Sequence, residues 1–375
     1  MAVSRVYLDH NATTPLHPEI AKKWRKYWDV MGNPSSLHAE GREARNALDT
    51  ARERIAGVLG IPRRALIFVG SGSEANSQVV QSVPDGGHVI TSTIEHSCVR
   101  NALRAAGRRG VTVTEVPVNS HGSVSVDAVR DAIRPDTRLI TIMSANNETG
   151  SVQPIAEIST IARESGVLMH TDAVQALGKL PFLSFDSGAD LMTISGHKVY
   201  GPKGIAALLI RDIDRLTPII FGGPQEHALR AGTEAVPLAV AFADAVVLAE
   251  AEREVLGARL LALKNRFLES IRAVVDVEVN SPEDGLFNTI NVSVKGIPGE
   301  AIVRGLDLQG ISISTGSACS TGSVEPSHVI AALGKPAWVT AGAFRISMGR
   351  LTTVDDMDRL QSALGEIILR IRGGV

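Results

Sequence analysis

Residues 139–172 read LITIMSANNETGSVQPIAEISTIARESGVLMHTD. Leu139 to Met143 is a short apolar run with β-branched residues, which predicts a buried strand. A polar turn follows, from Ser144 to Gly150. Ile155 to Ala162 places apolar residues at helical spacing, and Gly166 supplies a stop signal. Val167 to Met169 opens a second strand, which ends at His170-Thr171-Asp172. Strand, loop and helix in this rhythm are the units of a mainly parallel sheet covered by helices. Strand signals at Leu191 to Ile194 and at Ile205 to Ile210 continue the pattern. Ligands of such sheets bind in the loops beyond the carboxyl ends of the strands, and the polar clusters of this chain lie there.

Further out, Val236 to Leu268 is alanine- and leucine-rich and helical, and reads as a connector to a smaller domain. Asn288 to Val294 is strand-like, and Val354 to Ile371 is an amphipathic helix. At 39.7 kDa the chain is too long for one small core. The fold expectation is therefore α/β, with one large domain and a smaller α+β domain. Hydrophobic residues at 44% and charged residues at 21% fit a soluble enzyme. The net charge of −2 and the lack of a basic stretch give no support for direct nucleic-acid binding. No apolar run approaches the ~20 residues of a membrane helix, and the first residues do not form a signal peptide. Two distant cysteines do not make a disulfide framework, so a reducing cytoplasm is expected. No CxxC pair or HExxH pattern suggests a metal site.

Several loops carry residue types with chemistry. Lys198, in Ser195-Gly196-His197-Lys198, follows the Leu191–Ile194 strand in a glycine-rich turn. A lone turn lysine is most often a surface residue, but lysine amines also form Schiff bases with carbonyl cofactors. Asp172 and Gln175 follow another strand end. An aspartate there suits either a helix N-cap or a partner for a pyridinium nitrogen. Gly70-Ser71-Gly72-Ser73-Glu74-Ala75-Asn76 precedes a helix, and reads as an ordinary capped helix or as an anion cradle. It lacks the GK[ST] of a P-loop and the glycine spacing of a dinucleotide fingerprint. His96 follows Val89 to Thr91 and suits a cap, or stacking on a flat cofactor with proton transfer. Arg345 and Arg350 each suit a carboxylate clamp or an interface. Cys319 lies in Ser314-Thr315-Gly316-Ser317-Ala318-Cys319-Ser320-Thr321-Gly322-Ser323, a small, polar, glycine-flanked run that predicts a mobile loop. A cysteine in such a loop is a candidate nucleophile.

Together these segments resemble a cysteine desulfurase of the NifS/IscS type, in the class V branch of fold-type I pyridoxal-phosphate enzymes. The resemblance runs from Tyr7-Leu8-Asp9-His10-Asn11-Ala12-Thr13-Thr14-Pro15 and Gly32-Asn33-Pro34-Ser35-Ser36 through Asn146-Asn147-Glu148-Thr149-Gly150 and the Lys198 motif. It ends with the Cys319 loop, Glu325-Pro326-Ser327-His328 and the Arg345 segment. It implies that Lys198 carries pyridoxal 5'-phosphate, with Asp172 on the pyridinium nitrogen, Gln175 on the phenolic oxygen and His96 stacked on the ring. Asn147 would border the ring and substrate, and Gly72, Ser73, Ser195 and His197 would contact the phosphate. Thr233 matches a threonine that reaches the phosphate of a partner subunit, which implies a homodimer. Arg345 would grip the substrate carboxylate, and Cys319 would accept the sulfur. The phosphate loop departs from the common Ser-Gly-Ala-Thr-Glu-Ser of relatives, although Ser73 keeps the hydroxyl. Cys98 matches no family nucleophile and reads as a structural thiol.

The same resemblance implies a seven-stranded type of sheet in a large cofactor-binding domain over 15–253. A small domain would span 254–375, joined by residues 1–14 and carrying the loop at about 314–325. The implied reaction takes sulfur from L-cysteine and leaves alanine and a persulfide on Cys319, which calls for a sulfur-acceptor protein. His96 and Lys198 would move protons. A selenocysteine lyase or another class V aminotransferase is the rival on the same scaffold. A sulfur carrier that needs no cofactor is the non-enzyme rival.

Overall fold

The computed structural model describes residues 5–182, 185–186, 188–274, 276–316 and 326–373. Strand β1 (Val6–Tyr7) stands outside the main sheet. The main sheet is made of β2 (Leu66–Val69), β3 (His88–Ser92), β4 (Thr112–Val116), β5 (Thr137–Thr141), β6 (Leu168–Asp172), β7 (Leu191–Ser195) and β8 (Ala206–Ile210). Their order is β2-β8-β7-β6-β5-β3-β4. β4, β3, β5, β6 and β7 pair in parallel, and β8 runs antiparallel to both β7 and β2. The mainly parallel sheet expected from residues 139–172 is present, with one reversed strand inside it.

Alternation along each strand sends side chains to opposite faces. Phe68, Ile140 and Met192 join a core with Ile55, Ile158 and Phe242 on one face. Ile67, Val69, Leu139 and Leu191 meet Val79, Val99 and Leu103 on the other. The edge strand β4 is largely exposed, and its Thr112, Thr114 and Glu115 suit that place.

A second apolar cluster lies beyond the sheet. It gathers β9 (Val277–Val279), β10 (Thr289–Val294), β11 (Ile311–Ser312) and β12 (Ala343–Ser347) with helices Gly299–Leu308 and Val354–Gly373. β12, β10 and β9 form an antiparallel sheet, and β11 pairs in parallel with β1. The helix Val236–Val274 spans roughly 58 Å. Its Ala239, Phe242 and Val246 enter the first core, and its Leu260, Leu263 and Phe267 enter the second. Among the described residues no helix is long and apolar enough to cross a membrane.

Candidate active site

β2, β3, β5, β6 and β7 all end at one edge of the sheet. The loops beyond that edge enclose a cavity of about 630 Å³, lined by His96, Asp172, Gln175, Lys198 and Arg345 among others. That volume is in the range of small-molecule sites.

β7 ends at Ser195, and one 3-10 turn, Gly196–Lys198, brings Lys198 to the cavity. Lys198 Nζ donates to Asn11 O at 2.6 Å and to Ala12 O at 2.8 Å. The N-terminal strip is fastened to the same turn, because Thr14 N donates to His197 O at 2.9 Å. His197 Nδ1 lies 3.1 Å from Thr13 Oγ1. Burial, then the charges of Lys198 and Lys203, hold this imidazole down at about 4, so it is neutral at physiological pH.

Asp172 is the last residue of β6. Its Oδ1 accepts from Val174 N at 3.0 Å, and its Oδ2 accepts from Asn76 Nδ2 at 2.7 Å. The carboxylate caps a turn rather than a helix, and it also lines the cavity. Gln175 Nε2 donates to Asn11 O at 2.9 Å, while its Oε1 accepts from Lys179 Nζ at 2.6 Å. Lys179 is pushed down to about 7, first by burial and then by Lys198 and Arg345.

His96 is the N-cap of helix Ser97–Ala106, where its Nδ1 accepts from Cys98 N at 3.2 Å. Burial lowers its basicity, Asp172 opposes that, and Lys198 reinforces it. Arg345 comes from β12 and is almost wholly buried. Its Nη2 donates to Asp9 Oδ1 at 2.6 Å, and its Nη1 to Asn147 O at 3.0 Å. Its Nε has no hydrogen-bond partner among the described residues. Arg350 lies elsewhere, paired with Glu252 at 2.6 Å.

Gly72 and Ser73 open helix Gly72–Gln81 at the cavity, with Ser71 as N-cap. A Cβ at Gly72 would sit 3.3 Å from Val174 Cγ2, a tight contact that the valine would have to relieve by a few tenths of an ångström. Thr233 is exposed and is not part of the cavity lining in this chain. Cys319 lies outside the described residues, whose nearest members, Gly316 and Pro326, line the cavity.

Sequence reasoning left out Asp9, Asn11, Asn76 and Lys179. Asp9 and Asn11 were quoted in the N-terminal motif, and Asn76 in the 70–76 loop, but nothing local shows what they meet. Asn11 acts partly through its backbone carbonyl, which every residue carries.

The residues fit pyridoxal phosphate. A lysine amine, a carboxylate, a glutamine amide and an imidazole converge on one cavity beside a helix N-terminus with glycine and serine. These groups match an aldehyde, a ring nitrogen, a phenolic oxygen, a flat ring and a phosphate in turn. Among the described residues no group of three or more His, Cys, Asp or Glu is placed to hold a metal ion.

Known proteins resemble this chain in sequence and fold. A cysteine desulfurase IscS of Dictyoglomus turgidum is 41% identical over 375 residues, covering 98% of this chain and 95% of that protein. A structure described as a NifS-like protein superposes with a TM-score of 0.91 at 31% identity, covering 97% of this chain and 99% of that one. The structure of SspA in complex with cysteine superposes with a TM-score of 0.81 at 36% identity, covering 92% and 98%. The model of the family described as aminotransferase class-V matches residues 6–360. With its fold and nearly its whole length matched in this way, the chain belongs to the class V aminotransferase family.

Proposed function

We propose that this chain is a cysteine desulfurase that takes sulfur from L-cysteine, releases L-alanine and holds the sulfur as a persulfide on Cys319. The observation that carries the reading is the convergence of Lys198, Asp172, His96 and Arg345 on one cavity at the sheet edge. Lys198 is the residue that would bind pyridoxal phosphate, with Asp172 for its ring nitrogen, Gln175 for its phenolic oxygen and His96 on its ring face. Asn147 would border the ring, and Gly72, Ser73, Ser195 and His197 would hold its phosphate. When bound, the cofactor supplies an electron sink for charge developing at the substrate α-carbon.

The chain's own residues do the rest. Arg345 binds the substrate carboxylate, with Asp9 and the Asn147 carbonyl holding the guanidinium in place. Lys198 takes the α-proton from substrate held at that geometry. The Cys319 thiolate attacks the substrate sulfur, an S–S bond forms, and the carbon–sulfur bond breaks with its electron pair staying on the carbon fragment. Protons returned to that fragment by Lys198 complete alanine. A second thiol on an acceptor protein then takes the sulfur from Cys319. The match of Thr233 to a residue that crosses between subunits supports a homodimer, the commonest closed assembly.

The test is direct. Purified protein supplied with pyridoxal phosphate should show a Schiff-base absorbance band and form alanine from cysteine. Cys319→Ser should keep the band and lose alanine and persulfide. Full alanine production by Cys319→Ser would remove the desulfurase reading.

A further inference from the structure

Cys98 lies on the cavity wall, and the proposed reaction does not use it. Its Sγ is 3.0 Å from His96 Nδ1, the spacing of a nucleophile and its base. The surroundings argue against that role. Burial, then the carboxylate of Asp172, push the thiol up to about 12, so it keeps its proton at neutral pH.

The direction of each hydrogen bond here follows from atoms that only donate or only accept. Asp172 Oδ2 accepts from Asn76 Nδ2 at 2.7 Å. That fixes the amide, because a flip would set Asn76 Oδ1 against a carboxylate. The same Nδ2 donates to Cys98 Sγ at 3.2 Å. The backbone N–H of Cys98 can only donate, so Nδ1 is an acceptor and the thiol hydrogen, 3.0 Å away at Sγ, goes to it. Nδ1 takes the backbone N–H of Cys98 as well, at 3.2 Å. A ring nitrogen that accepts from a thiol and an amide carries no proton, so the neutral ring bears its N–H at Nε2.

We propose that Asn76 and Cys98 are positioning residues: Asn76 donates both to Asp172 and to Cys98, Cys98 donates to His96, and together they hold His96 as the neutral Nε2–H tautomer. The inference rests on the reading of Lys198, Asp172 and His96 as the reaction centre. His96 then serves as a hydrogen-bond donor through Nε2, and its accepting nitrogen is kept from the substrate. Asp172 faces the ring from the end of β6 and favours its charged form, whereas Lys198 from the Gly196–Lys198 turn disfavours it. His328, from helix His328–Ala332, is a neighbouring imidazole under the influence of Arg100. Cys98 bonds to the ring from its own helix, and burial outweighs the rest.

Nitrogen-15 NMR of histidine-labelled, full-length protein, with and without cofactor, reads the tautomer. His96→Gln identifies the resonance. The wild type should show a pyridine-type Nδ1 and a pyrrole-type Nε2. Losing the thiol donor in Cys98→Ala should raise the pH at which the ring protonates by about half a unit. Cys98→Ser keeps a donor and should stay near wild type. In loaded enzyme, the acid limb of kcat/KM against pH should move with Cys98→Ala by the same amount. Should the alanine variant not fold, the wild-type spectrum and Cys98→Ser still decide the matter. A pyrrole-type Nδ1 in wild type, a Cys98→Ser ring that protonates at a higher pH, or an unmoved ring titration in Cys98→Ala overturns the proposal. The expected spectra without any turnover of cysteine would overturn the desulfurase reading and leave the tautomer assignment standing.

Discussion

Lys198 reaches the cavity from a turn of the main sheet and Arg345 from β12, and each is held in part by backbone carbonyls. Lys198 is held by Asn11 O and Ala12 O, and Arg345 by Asn147 O and the Asp9 carboxylate. Lys198→Ala should lose the cofactor absorbance on desalting, and turnover should fall by about 10²–10⁴-fold, the range lost with a positioned acid–base group. Arg345→Ala deletes charge-assisted hydrogen bonds of about 1.5–3 kcal/mol each. Steady-state kinetics should show KM for cysteine raised roughly 10–150-fold with a smaller change in kcat. Arg345→Lys should recover only part of this, because an ammonium lacks the planar fork. Lys198, Asp172 and Arg345 were legible in sequence because their neighbours form long motifs. Asn76 was not, since its meaning is a contact with Asp172, 96 positions away.

Where elements meet, buried charge is what a substitution disturbs most. Arg52, on helix Ala39–Leu59, makes a two-pronged pair with Glu226, at 2.8 and 2.9 Å. Glu226 also accepts from Phe68 N of β2, and it stands with His227 and Ala228 at positive φ. Glu226→Gln leaves Arg52 buried without its counter-charge and should destabilise the fold by about 3–5 kcal/mol, measured by urea unfolding. Glu95 is a second case. Burial pushes it up to about 8, against an ordinary value of 4.5, despite bonds from Ser92 and Met143 N. Between those pH values the unfolded chain has released a proton that the folded protein keeps. Stability therefore falls as pH rises through that window. Glu95→Gln removes the dependence, so the melting temperature of the variant relative to wild type should climb from pH 5 to pH 8. Helices and parallel strands were legible from their apolar spacing. The reversal of β8 is also physical, because the short link between Ser195 and Ala206 leaves no room for the crossover that a parallel neighbour needs. Two-residue strands such as β1 and β11 leave too little pattern to read.

Over the whole molecule, the proposed dimer gives a test of its own. Phe221 is 82% exposed, and Ala231 N donates to Ile220 O, which ties its loop to the stretch that leads to Thr233. Sedimentation should show a dimer. Phe221→Asp should shift it toward monomer and lower turnover together, and an unchanged dimer would place the interface elsewhere. The N-terminal segment was expected to join the small domain, but the individual contacts of that seam were not legible. β1 pairs with β11, Asp9 bridges to Ser347 and pairs with Arg345, and Asn288 Nδ2 donates to Asn11 Oδ1. That seam has a consequence for biosynthesis. Residues 6–14 leave the ribosome some 300 residues ahead of their partners in 311–347, an interval of roughly 15–60 s at ordinary elongation rates. Until 311–347 follow, Lys198 has its turn but Arg345 does not yet exist, and Val6 and Leu8 have no core to enter. Nascent chains can complete the main sheet during translation, whereas the substrate-binding half of the site arises only once residues 311–347 have emerged. Premature stops before residue 345 should therefore yield folded remnants with no catalytic value, and a holding chaperone has its clearest work on the waiting N-terminal strip.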